Sequence, residues 1–202
     1  MYLPKLVPKE YNFTNVTGIS QKTLDIHYNK LYKGYVAKAN EVNEKLRVFG
    51  LGGGDVETVN PSYHELRALR DAETFVRNAV YLHEDYFEIL GGDGVPGGTL
   101  KSAIIEKWGN YENFERYYQA SCMVARGWLI LAWNRNDQKL NIFMSDGHSQ
   151  GGVWSCEPVL VFDAYEHAYF IDYGADRKAY VKDFFKNLNW DTLDKKFKKT
   201  HG

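Results

Sequence analysis

The sequence predicts an α+β protein, with an N-terminal antiparallel helical hairpin followed by a C-terminal α/β domain built around a small three-stranded sheet. Three observations predict it. Two long stretches, from Ser20 to about Gly50 and from Asn60 to Leu90, carry apolar residues at helical spacing and are joined by Gly52-Gly53-Gly54-Asp55. The run Gly91-Gly92-Asp93-Gly94-Val95-Pro96-Gly97-Gly98 is the strongest break in the chain. Beyond it, short runs rich in β-branched and aromatic residues appear for the first time. Placing the boundary at the break gives a hairpin domain over residues 1–92 and an α/β domain over residues 93–202.

Each element has its own signal. Pro4 and Pro8 punctuate an extended start, and Ser20 is a suitable N-cap for the first helix, whose stripe runs Leu24, His27, Leu31, Tyr35, Val42 and Leu46. That helix ends near Gly50. Asn60-Pro61 reads as an N-cap with a first-turn proline for the second helix, whose stripe is Leu69, Ala72, Val76, Ala79 or Val80, His83, Phe87 and Leu90. A Gly-rich connection between them favours an antiparallel hairpin. Past the break, Leu100 to Trp108 and Asn113 to Val124 are helical. Trp128 to Trp133 and Leu140 to Met144 form a strand hairpin across the polar turn Asn134 to Gln138, and Val159 to Asp163 supplies a third strand. The tail from Tyr180 to Lys198 is helical again, with a break and restart at Asn189-Trp190-Asp191.

Composition excludes several classes. With 202 residues, 44% hydrophobic and 25% charged, the chain is long enough to bury a substantial core. A net charge of -1 offers no general attraction for nucleic acid or anionic membranes, and no segment has the apolar length of a membrane span. Met1-Tyr2-Leu3-Pro4-Lys5-Leu6 lacks the basic start and apolar core of a secretory signal, so a cytoplasmic protein is expected. Cys122 and Cys156 sit in no thiolate-metal pattern and read as small packing residues. Aromatic residues reach 15%, and their first use is to build a core.

The chemistry is carried by Asp163-Ala164-Tyr165-Glu166-His167-Ala168-Tyr169. An apolar strand delivers a carboxylate, and an imidazole follows four residues later. If a helix starts there, both groups lie on one face and can share a metal ion. His27 and His83 fall on the inward stripes of the two hairpin helices. Each alone reads as a packed core histidine. Together with Asp163 and His167 they make a three-nitrogen, one-oxygen donor set suited to iron, manganese or zinc, and helix bundles commonly build metal sites from facing helices.

The chain resembles the iron/manganese superoxide dismutase family nearly end to end. Leu3-Pro4-Lys5-Leu6 is similar to its N-terminal proline motif, and His27-Tyr28-Asn29-Lys30 through Tyr35-Val36 to its first ligand helix. His83-Glu84-Asp85-Tyr86-Phe87 resembles the second ligand helix, Gly97-Gly98-Thr99-Leu100 the segment between domains, and Gly127-Trp128 the start of the first strand. Asp163 to Tyr169 matches the family signature and Asn189-Trp190-Asp191 completes the likeness. The resemblance implies a three-stranded antiparallel sheet, a mononuclear metal between the domains, superoxide as substrate, and a homodimer or homotetramer. Dismutation needs an ion that cycles between oxidation states, which excludes zinc.

Further roles are implied by the likeness. Tyr35 matches the tyrosine at the mouth of the substrate funnel, a candidate for proton relay. Lys30 and Arg177 match positive rim residues that attract the anion. Glu166 matches the carboxylate that reaches the partner subunit's last histidine ligand. The chain also departs from the family pattern. A side-chain amide usually donates to solvent at the metal, yet Ala79, four before His83, is too short, and Ser145-Asp146-Gly147-His148 offers an imidazole. His148 is the expected donor, filling space that Ala79 vacates. Leu31 and Phe170 together replace a His and Tyr pair that hydrogen-bonds across the dimer, so an apolar contact is expected there. Tyr165 replaces the customary Trp beside the metal, which points to lower activity.

Iron is the expected metal, with manganese as the alternative or used as well. Val161, at a position thought to influence that choice, is neither common residue, and an imidazole donor leans toward iron. Two other classes compete. A non-haem iron oxygenase uses two His and one carboxylate, against which the third His argues. A non-catalytic metal binder is suggested by Leu31, Tyr165 and Phe170, against which Tyr35 and the complete ligand set argue.

Overall fold

The computed structural model describes residues 4–201, so Met1 to Leu3, with the first residue of the expected proline motif, lie outside the described residues. Ser20 caps α1 (Gln21–Ile26) as expected, its Oγ accepting from the Thr23 N–H at 3.2 Å. The helix continues as a π-helical stretch, His27–Tyr32, and then as α2 (Lys33–Gly50). Wider i to i+5 bonding adds a residue to the turn and shifts the inward stripe. Tyr28, Tyr32 and Val36 are buried, while Leu31 and Tyr35, expected on that stripe, are only partly so. His27 stands at the first residue of the widened stretch, the kind of place where π-turns serve sites.

The second helix, α3 (Glu65–Glu88), starts later than Asn60-Pro61 predicts. Asn60 Oδ1 accepts from the N–H groups of Ser62 and Tyr63, both at 3.0 Å, and so closes a local turn. The capping role passes to His64, whose Nδ1 accepts from Leu66 N–H at 3.1 Å. Contacts between Tyr32 and Glu84, Asn43 and Arg77, and Phe49 and His64 pair rising with falling numbers, so α2 and α3 form the expected antiparallel hairpin. The N-terminal segment is strapped across it. Lys9 N–H donates to Tyr32 Oη at 2.8 Å, and Tyr32 donates to Glu84 Oε1 at 2.9 Å.

The glycine-rich connector runs along the turn that precedes the last helix. Gly92 N–H donates to Asn187 O at 2.9 Å and Gly94 N–H to Leu188 O at 3.1 Å, so close that a Cβ on Gly92 would strike the Leu188 carbonyl. Beyond it come α4 (Gly98–Trp108), α5 (Tyr111–Val124), β1 (Trp128–Asn134), β2 (Lys139–Ser145) and β3 (Cys156–Asp163). A 3-10 turn, Glu166–Ala168, leads to α6 (Phe170–Tyr173), α7 (Arg177–Lys186) and α8 (Trp190–His201). The three strands form one antiparallel sheet in the order β2-β1-β3.

The register places the site. Trp128 pairs with Ser145 on one side and with Asp163 on the other, so one end of the sheet presents an indole, the start of the loop holding His148, and a carboxylate in a row. Helix α3 packs against β3, bringing His83 to that same end.

Candidate metal centre

Among the described residues, His27, His83, Asp163 and His167 bring one ligand atom each to within 4.8 Å of one another. His27 Nε2 and His167 Nε2 each lie 3.1 Å from Asp163 Oδ2, and His83 Nε2 lies 3.9 Å from it. Such separations are those of donor atoms sharing a centre roughly 2 Å away. The local folding explains the convergence. Asp163 ends β3 with its Oδ1 accepting the Tyr165 N–H at 2.9 Å, and the 3-10 turn carries His167 back beneath it. Tyr180 Oη donates to the Asp163 carbonyl at 2.9 Å and contacts Tyr86 Oη at 3.1 Å, fixing the backbone from behind.

The residues fit a metal on their own evidence. Both ring nitrogens of His27 and Nε2 of His83 are buried without a hydrogen-bond partner. Orphaned polar atoms in a packed interior are costly, and two of these, Nε2 of His27 and Nε2 of His83, face the one carboxylate and mark where a cation completes the structure. His83 Nδ1 donates to Ala79 O at 2.6 Å, which leaves Nε2 as the free lone pair facing the site. Burial pushes the His27 and His83 imidazoles below their ordinary range, so both are neutral ligands in waiting. Burial alone would raise Asp163, but the charge and hydrogen bond of His167, with the His27 ring close beside it, outweigh that and hold the carboxyl far below its usual range. For His167 burial is likewise overcome, by Asp163, and the ring is raised.

His148 lies in the same pocket. Its ring is 5.9 Å from that of His83 and 4.6 Å from that of Phe75, which flank Ala79 one turn on either side along α3. The imidazole thus lies between the two residues that flank Ala79 on that face. Asn78 Nδ2 donates to the His148 carbonyl at 2.8 Å, Trp128 Nε1 donates to His148 Nδ1 at 2.9 Å, and His148 Nε2 meets Tyr35 Oη at 3.2 Å. Burial pushes the His148 pKa down to about 4. Ala79→Gln is expected to destabilise the fold by about 1–3 kcal/mol through overpacking, and His148→Gly in the same chain to recover most of it. Denaturant midpoints of the two single variants and the double variant measure that coupling.

The other expected site residues are less uniform. Tyr165 stacks on His167 at 5.3 Å with rings 14° apart and lies 5.3 Å from His148, so it does wall the pocket. Burial lifts its hydroxyl to about 12. Glu166 and Lys30 are exposed. Arg177 is half-buried at the start of α7, where its guanidinium donates to Ala125 O at 2.6 Å and to Tyr169 Oη at 3.3 Å. Those bonds tie α7 to the end of α5, a bracing task the sequence does not suggest.

Trp128, Phe75 and Asn78 are pocket residues that sequence reasoning passes over. Phe75, Ala79 and His83 share one α3 face at i, i+4 and i+8, a signal that could have found the first. Trp128 is visible only through strand register, since nothing in its local sequence points it at His148.

Comparison with known proteins places the chain. The family model for iron/manganese superoxide dismutases, C-terminal domain, matches residues 96–196. A superoxide dismutase [Fe] of Aquifex pyrophilus is 39% identical over 98% of this chain and 94% of its own length. That of Aquifex aeolicus is 38% identical over the same shares. Superoxide dismutase [Mn] 1 of Halobacterium salinarum is 30% identical over 96% of this chain and 94% of its own. Likeness of that degree along nearly the whole of both chains, converging on one buried donor set, shows that this chain belongs to the iron/manganese superoxide dismutase family.

Proposed function

We propose that this chain converts superoxide to oxygen and hydrogen peroxide at a single iron ion, manganese being the alternative, held by His27, His83, Asp163 and His167. The observation that carries the reading is the convergence of three imidazoles and a carboxylate in a buried pocket where ring nitrogens lack partners. When bound, such an ion supplies one-electron oxidation and reduction in alternate turns. Neutral His27 and His83 with ionised Asp163 would hold the ion without competing protons. Trp128, Phe75 and Tyr165 wall the pocket with rings and restrict water. Burial raises the Tyr35 hydroxyl above its ordinary range, so Tyr35 keeps its proton at neutral pH and can offer it to a forming peroxide. Lys30 and Arg177 add positive charge that draws the anion inward.

Iron is favoured because the two relatives near 39% identity are both named for iron. Reloading the apoprotein separately with iron and with manganese, quantifying bound metal and following superoxide consumption tests this directly. Faster turnover with iron is expected. Inactivity of both fully loaded forms would overturn the reading and leave a family fold without its chemistry.

Dimerisation, or a tetramer built from dimers, belongs to the same proposal. Phe170 is 53% exposed and Ile171 46%, next to exposed Glu166 and the partly exposed His167. An apolar patch beside a metal ligand is the surface a second copy would cover, with Glu166 reaching toward the partner's site. Phe170→Glu is expected to convert dimer to monomer, read by sedimentation velocity. An unchanged sedimentation coefficient would remove Phe170 from the interface. A cytoplasmic setting is supported by the two free thiols, Cys122 and Cys156.

A further inference from the structure

The end of α3 is charged against the helix's own field. A helix carries partial negative charge at its C-terminus, where cations are favoured and carboxylates are not. Helix α3 closes instead on Glu84, Asp85 and Glu88, with no basic residue in its last turn. His83 stands immediately before them. Residues one, two and five positions on lie roughly 100°, 200° and 140° around the helix from His83, so the carboxylates turn away from the donor group while sharing its backbone. Two cations reach them from opposite ends of the chain. Lys9 Nζ lies 2.6 Å from Glu84 Oε2, and Lys196 Nζ bridges Asp85 Oδ1 and Glu88 Oε2, the latter at 3.4 Å. Lys196 is the better shielded, its side chain 15% exposed against 60% for Lys9. Each lysine sits on an anchored segment. Tyr28 Oη donates to Lys9 O at 2.9 Å, and Asn189 N–H, just before α8, donates to Ile89 O, just past α3, at 2.8 Å. Tyr28 belongs to the π-helical stretch that begins at His27, so the strap carrying Lys9 touches both helices of the donor group.

We infer that Lys196, with Lys9 as a weaker second arm, is a positioning residue: the two ends of the chain clamp the acidic close of α3 from outside and so hold His83 at the metal site. The clamp acts through placed charge and touches neither the ion nor the substrate. Without Lys196, three carboxylates gather at a negative helix end with only an exposed lysine to offset them, and the turn beside His83 relieves their repulsion by opening more often. Each opening withdraws one donor from the ion, although the donor set itself is unchanged. The inference rests on the proposed metal binding by His83, but its observable is the hold on an ion, which does not require turnover.

Lys196→Met keeps the apolar stem and removes the charge. The full chain, loaded with cobalt(II) as a spectroscopic probe, is challenged with excess chelator well below its melting temperature. Metal release is expected to quicken about tenfold in Lys196→Met, the low end of what lost supports of metal ligands cost. In Lys9→Met, whose pair is more exposed, about two- to threefold is expected. Amide exchange over residues 83–88 should quicken with it, and the visible cobalt bands should shift. Lys196→Arg is expected to restore all three readouts. So is Asp85→Asn placed in the Lys196→Met chain, because it removes the carboxylate left unpaired. Unchanged release and unchanged bands in Lys196→Met, whatever its melting temperature, would overturn the inference and leave Lys196 a stability residue only. Should that variant fail to fold, Lys9→Met decides, and unchanged release there counts against the clamp. A chain that binds no metal at all would remove the site and the clamp together. Quickened release in the variants of a chain that consumes no superoxide with iron or manganese would sink dismutation and keep the clamp, and an active chain whose release ignores both lysines would do the reverse.

Discussion

Asp163→Asn is expected to abolish tight metal binding, and dismutation with it, while leaving the chain folded. Asp163 is fully buried and is the only carboxylate in the donor group. Its Oδ2 faces three imidazole nitrogens at 3.1, 3.1 and 3.9 Å, so its charge is what makes three imidazoles a site for a cation. Asparagine has the same shape and can keep the contact of Oδ1 with Tyr165 N–H. The backbone is held independently by the Tyr180 hydroxyl. What disappears is the charge, and an amide N–H₂ turned toward His27 and His167 repels the ion it replaced a ligand for. Even changes to groups that only support metal ligands cost roughly 10–100-fold in affinity, and loss of a ligand should exceed that. Metal quantified after purification, superoxide consumption and a thermal melt together check the result. Full metal occupancy in the variant would show that Asp163 is not a ligand.

Much of this site can be read in the sequence because its parts are periodic. His27 and His83 stand out against apolar helical stripes, and Asp163 and His167 are four residues apart at the end of a strand. Even so, the geometry is not the helical one that spacing suggests. Residues Glu166–Ala168 form a 3-10 turn, and Asp163 lies in β3, so the two side chains converge through a strand end and a tight turn. The strands and most helices lie within a few residues of their expected bounds, since turn residues and β-branched runs mark them. Less visible were the features decided by tertiary contact. The π-helical stretch at His27–Tyr32 exchanges Leu31 and Tyr35 for Tyr32 and Val36 on the inward face, and Asn60 caps a turn in place of a helix. Trp128 enters the pocket through its pairing with Ser145 and Asp163, a fact of register that no local pattern carries. Arg177 shows the same limit from the other side, a charge whose bonds to Ala125 O and Tyr169 Oη come only from the packing of α7 on α5.

The metal-free chain is expected to lose stability steeply as pH falls from about 6.5 toward 4. His148, buried between Phe75 and His83, has its pKa pushed down to about 4, and burial lowers His27 and His83 as well. A base whose folded pKa lies below its unfolded value binds more protons when unfolded throughout the window between the two. Stability therefore rises with pH across that window and falls on acidification. His148 alone accounts for about 3 kcal/mol between its two values, and that is a large part of a typical domain's stability. His167 works in the opposite sense, since Asp163 raises it: its contribution is complete below the unfolded value and is lost as pH rises through the folded one. Asp163 adds stability above the ordinary carboxylate range, lost only at still lower pH. Three depressed imidazoles against one raised imidazole give a net loss in mild acid. Denaturant midpoints of the metal-free chain at pH 7, 5.5 and 4.5 measure it, and a flat profile would contradict the burial that places these rings. His148→Gln, which cannot titrate there, should flatten the profile by the share assigned to His148. Bound metal should move the whole curve to lower pH, because protons must then displace the ion before they can reach His27 and His83.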